Sequence, residues 1–159
     1  MTPEQEILAD LVVAARKLRS SAQETLSLIT TMPSDEAALA AMLPVERVAT
    51  TAMLKQFEQL EDTLASLFRT VLRMLGVRLK GLYPLDIGLR MVELAIIDDA
   101  PRWLTIVKLR NELVHEYPKD VGQRFARLQA AHDALPFLFD AADRAEAVID
   151  ARRLLKEVS

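Results

Sequence analysis

The sequence predicts an all-α fold, an up-and-down helical bundle of about five helices, and three observations carry that prediction. The 159 residues are rich in Ala and Leu, with only 4 Gly and 5% aromatic residues, a composition that favours helices over sheets. Apolar residues recur at spacings of three and four along most of the chain, the period of a helix with one greasy side. The connections are short and marked by proline, glycine or aspartate, so neighbouring helices are left to cover each other's apolar stripes. The length suits one domain, residues 1–159, large enough to bury a real core.

The first helix carries the stripe Ile7, Leu11, Ala15, Leu18, Ala22, Leu26 and Ile29 and ends near Pro33. An Ala-rich piece, Ser34 to Met42, opens on a Ser-Asp cap and reads as a helix turn or a linker, closed by Pro44. From Val45 to Leu75 a long helix sets Met53, Phe57, Leu60, Leu64, Leu67 and Val71 at alternating spacings of four and three, the seam of a bundle. Gly76 to Gly81 reads as its C-terminal cap and a basic loop. The next helix starts at Pro84 or Leu85, buries Ile87, Met91, Leu94 and Ile97, and is expected to end at Asp98-Asp99. Pro101 suits the first turn of the helix that follows, with Asp99 or Ala100 as its cap. Asp120 and Gln123 form a capping-box pattern for a last helix running to about Leu155, which Pro136 is expected to kink or split.

Composition excludes several chemistries. With no cysteine there are no disulfides and no thiolate ligands. Two histidines do not make a histidine-rich metal site, so no metal and no cofactor is expected. The N-terminus reads Thr-Pro-Glu-Gln-Glu, acidic where a secretory signal is basic, and no apolar run is long enough to span a membrane. A cytoplasmic protein with no membrane partner is the expectation. The net charge of −3 argues against a general nucleic-acid coat, but it is unevenly spread. Residues 1–68 net −5, residues 69–110 net +4 and residues 111–159 net −2. Arg69, Arg73, Arg78, Lys80, Arg90, Arg102 and Lys108 are therefore candidates for steering a phosphate backbone, or else simply solvated helix faces. Trp103 and Tyr83 lie in no repeated aromatic pattern and read as packing anchors.

Chemistry concentrates in Arg110 to Pro118, Arg-Asn-Glu-Leu-Val-His-Glu-Tyr-Pro. Leu109, Leu113 and Val114 mark the last turns of an amphipathic helix, which Pro118 should stop near Tyr117. Asn111 and His115 are four apart on one face and Arg110 is one step round. A helix C-terminus favours cations, so Arg110 and a protonated His115 are at home there, and such a histidine is suited to proton transfer near neutral pH. The plain alternative is a capping pair that merely closes the helix. His132 lies on the stripe Val121, Phe125, Leu128, His132, Leu135, Phe139 and has two readings, a histidine at a packing seam or a second acid/base group near His115.

The pattern Arg-x4-His-x-Tyr, with Asn directly after the Arg, resembles the signature of the HEPN superfamily and looks most like the HepT-type toxins of toxin-antitoxin pairs. The resemblance is sharp over these eight residues and looser over roughly Tyr83 to Val121. It implies a metal-independent endoribonuclease with Arg110 and His115 catalytic and Asn111 in support. It implies Tyr117 as the residue that a minimal nucleotidyltransferase partner adenylylates to neutralise the toxin. It also implies a homodimer acting on RNA, because one chain supplies a single well-placed His where the reaction needs both an acid and a base. The competing expectation is a non-catalytic HEPN-like partner subunit of such a nucleotidyltransferase, and a third is a purely structural helical adaptor.

Overall fold

The computed structural model describes residues 1–156, and its regular structure there is entirely helical. Six helices are formed: α1 Pro3–Ser27, α2 Glu36–Ala41, α3 Pro44–Met74, α4 Pro84–Glu93, α5 Ala100–His115 and α6 Val121–Ala151. The all-α bundle is as the sequence predicts. The additional helix is the Ala-rich piece: Asp35 caps the Ala38 N–H at 2.7 Å, and Arg47 closes its far end on the Met42 carbonyl at 2.6 Å. No residue of α2 is fully buried; its leucine, Leu39, leans on the core, and the caps at its two ends complete its hold.

Local sequence fixes most helix starts. The Thr2 hydroxyl accepts from the Gln5 N–H while the Gln5 side chain accepts from the Thr2 N–H, a reciprocal cap that starts α1 with Pro3 in its first turn. Asp99 caps Arg102 at 2.9 Å and Asp120 caps Gln123 at 2.8 Å. α3 ends where Gly76 adopts φ +82 and Val77 N–H returns to Leu72 C=O, a left-handed stop that glycine takes without a Cβ penalty.

The 31 residues of α3 span about 46 Å, and it is the hub of the fold. It touches α1, α4, α5 and α6, and its predicted seam of Met53, Phe57, Leu60, Leu64, Leu67 and Val71 is buried throughout. Trp103 of α5 packs its ring 4.9 Å from Phe68 of α3 and is an anchor as expected. No helix among the described residues is long and apolar enough to cross a membrane.

Four boundaries differ from the sequence expectation, the first being α1, which stops at Ser27, short of Ile29 and Pro33. α4 ends at Glu93 and not at Asp98-Asp99. Ala95 turns left-handed at φ +59, Ile96 N–H returns to Met91 C=O at 2.9 Å, and Ile96 and Ile97 swing back into the core; burial of two isoleucines outweighs about 1–2 kcal/mol of alanine strain. Pro136 does not split α6. Its ring is on the exposed side, so it displaces no core side chain and α6 runs on through it. α6 stops at Ala151, short of Leu155, where Arg153 takes φ +56 and Leu154 N–H reaches Ile149 C=O.

Candidate functional site at the end of α5

α5 buries Ala100, Trp103 and Ile106, and its last turns carry the polar motif outward. Arg110 is the inward member of that motif. Its Nε lies 3.5 Å from Glu61 Oε2 and its Nη2 lies 3.3 Å from Asp62 Oδ1, both on α3, while Nη1 donates to Asn111 Oδ1 at 3.3 Å. The guanidinium is thus fixed by two consecutive carboxylates of the hub helix, with its side chain 25% exposed. Asn111, expected in a supporting role, accepts this bond from the arginine and not from His115.

Glu61 is 3% exposed and makes no hydrogen bond of its own among the described residues. Burial pushes its carboxyl up to about 7; Arg110 and Arg69 pull it down and Asp62 pushes it further up. Burial prevails because the Arg110 Nε contact is an ion pair without hydrogen-bond geometry. A shallow pocket lies beside this carboxyl, lined by Ala65 and Arg69 of α3, Pro84 and Ile87 of α4, and Trp103 and Val107 of α5.

His115 is the last residue of α5, exposed, with no hydrogen bond or ion pair among the described residues. Both its ring nitrogens are open to whatever docks there. Tyr117 is 96% exposed, two residues past the helix end.

A residue absent from the sequence expectation holds this end in place. Arg127 of α6 is buried; it donates from Nη1 to the Glu116 carbonyl at 2.9 Å, and its guanidinium meets the carboxylates of Glu116 at 3.4 Å and Glu112 at 3.8 Å. From the other side, Gln123 accepts the Lys119 N–H. The short span carrying Tyr117 is pinned at both feet.

Two expectations are corrected by placement. His132 is half-buried and bonds through Nδ1 to Asp133 at 3.0 Å. That bond, with Gln129 and the more distant charge of Arg102, holds the Asp133 carboxyl below its ordinary range. Arg102 begins α5 and His115 ends it, about 20 Å away along the axis. Within one chain His132 is therefore not a second acid/base group beside His115. Tyr83 is not a packing anchor, because it caps α4 with 74% of its surface exposed.

Glu61 and Asp62 escaped the sequence reading, being 48 and more residues from the motif. One signal was present: Phe57, Glu61, Leu64 and Phe68 follow helical spacing, and the glutamate stands in an otherwise apolar stripe. No cluster of His, Cys, Asp and Glu able to hold a metal exists among the described residues. No protein-family model, curated protein or solved structure matches the chain.

Proposed function

We propose that the end of α5 is the active site of a metal-independent endoribonuclease, the toxin of a HEPN-type toxin-antitoxin pair. The observation that carries this reading is an exposed, unpartnered His115 on the same helix end as an arginine anchored by α3. His115 removes the ribose 2′-OH proton, and the 2′-oxygen attacks the adjacent phosphorus. As the P–O5′ bond breaks, the 5′-oxygen takes a proton from an acid, leaving a 2′,3′-cyclic phosphate and a 5′-hydroxyl. Arg110 offsets the charge that builds on the phosphorane oxygens. One chain provides one such histidine, so a second copy related by a two-fold axis supplies the acid, and the working unit is a homodimer. Adenylylation of Tyr117 by a minimal nucleotidyltransferase then silences the site by placing a bulky phosphate where the RNA backbone lies.

A second reading, a docking subunit for that nucleotidyltransferase, is favoured by one specific observation. Arg110 already meets two carboxylates, so part of its charge is spoken for. The test is RNA cleavage in EDTA by wild type, Arg110→Ala and His115→Ala. Cleavage that survives EDTA and is lost in both variants supports the nuclease. Unmodified wild type that leaves several structured RNAs intact moves the assignment to the docking subunit.

A further inference from the structure

Between Asp62 and Asp86 the chain contains no acidic residue, yet it carries Arg69, Arg73, Arg78 and Lys80. Among the described residues none of these four has a hydrogen-bond or ion-pair partner, and all four are exposed. Several arginines elsewhere are paired, Arg16 with Glu146, Arg19 with Asp143, Arg124 with Glu36 and Arg144 with Asp140. Four cations in succession without an ion pair, of which only Arg69 acts on a carboxyl, that of Glu61, make a surface matched to a polyanion.

Its placement ties it to Arg110. Arg69 lines the pocket that Glu61 also lines, and Arg69 and Arg110 both act on that carboxyl. Arg73 is four residues further on the same face of α3. The helix then ends, and Arg78 and Lys80 follow on the loop between the two left-handed glycines, Gly76 and Gly81. Tyr83 stands directly before Pro84, which lines the Arg69 pocket, and its exposed ring offers a face on which a base can stack. From Asp62 to the end of α3 the distance is about 18 Å, room for several nucleotides.

The geometry points to a track for single-stranded RNA that leaves the motif at Arg110, crosses Arg69 and Arg73, and continues over Arg78 and Lys80, with Tyr83 stacking a base. The cations hold phosphates and the tyrosine adds a sequence-tolerant contact. An acidic partner protein is the other occupant these cations would accept, and a protein built for it would leave a short oligoribonucleotide unbound. The track rests on the ribonuclease reading only for its Arg110 end.

The test is binding of a short fluorescent 2′-O-methyl oligoribonucleotide, which lacks the nucleophilic hydroxyl, to the full chain by anisotropy over about 50–200 mM salt. Arg69→Gln with Arg73→Gln should weaken binding and flatten the log K against log salt slope by roughly 1.4, as expected when two phosphates of a single strand are no longer neutralised. Tyr83→Ala should weaken binding about tenfold and leave the slope alone. Arg144→Gln, on the far helix, should match wild type. Wild-type affinity and slope in the Arg69/Arg73 and Tyr83 variants overturn the track. If cleavage of ordinary RNA still requires His115 in that case, the nuclease reading stands without it. Binding that depends on these residues in a protein that cuts no RNA leaves the track standing and removes the nuclease.

Discussion

Replacing Glu61 with glutamine isolates one buried charge and turns the geometry around Arg110 into a pH profile. The carboxyl is raised from 4.5 to about 7, principally by burial against the partial compensation of Arg110. A carboxyl whose folded value is raised favours the folded state while protonated. Its contribution is fully present below pH 4.5 and is lost as pH rises through 7. At roughly 1.4 kcal/mol for each pH unit between those two values, the loss amounts to about 3 kcal/mol. Glu61→Gln keeps the shape, removes the titration and leaves Arg110 its contact with Asp62. Urea unfolding from pH 4.5 to 8.5 should therefore show the variant gaining on wild type as pH rises, by up to about 3 kcal/mol, and levelling off above pH 7. A difference between the two proteins that stays flat across this range would refute the reasoning, and would mean that Arg110 compensates the buried charge fully.

Other expectations are cheaper to check. Ala95→Gly should stabilise the protein by about 1 kcal/mol, because Ala95 sits at φ +59 in the stop that ends α4, and thermal unfolding would read it. Gly88→Ala should cost about 1–3 kcal/mol, since the added Cβ would come within 3.2 Å of the Ala100 Cβ and of the Trp103 ring, a change that urea unfolding would measure. Asp99→Ala should cost about 1 kcal/mol by uncapping α5, and hydrogen exchange should rise first at Arg102. Arg127→Met should cost about 1–2 kcal/mol, the partner carboxylates being largely solvated, and should speed proteolysis at the Tyr117 span.

Features encoded within a few residues were legible in the sequence. Asp99, Asp120 with Gln123, and Pro84 each act on the turn they begin, so the starts of α4, α5 and α6 follow from local chemistry. The end of α4 did not, because Ile96 and Ile97 continue an apolar run and nothing at Ala95 announces a left-handed turn; the core decides it. Pro136 misled for the same reason in reverse, since a local rule about proline says nothing of which side of the helix meets water. The motif from Arg110 to Tyr117 was readable as a unit. Its acidic frame on α3 and its clamp by Arg127 were not, being tertiary contacts between residues that sequence spacing does not relate.

The double pinning of the span after α5 bears on how costly it is to recognise. Arg127 holds the Glu116 carbonyl and Gln123 holds the Lys119 N–H, so Tyr117 and Pro118 form a taut hoop, and Pro118 fixes its own φ. A tyrosine on a loose tail must surrender many conformations when an enzyme or partner seizes it. Here the backbone on both sides is already tied during folding, so part of that loss is met before any visitor arrives. On the proposed reading, in which a nucleotidyltransferase modifies Tyr117, loosening either foot should slow that modification.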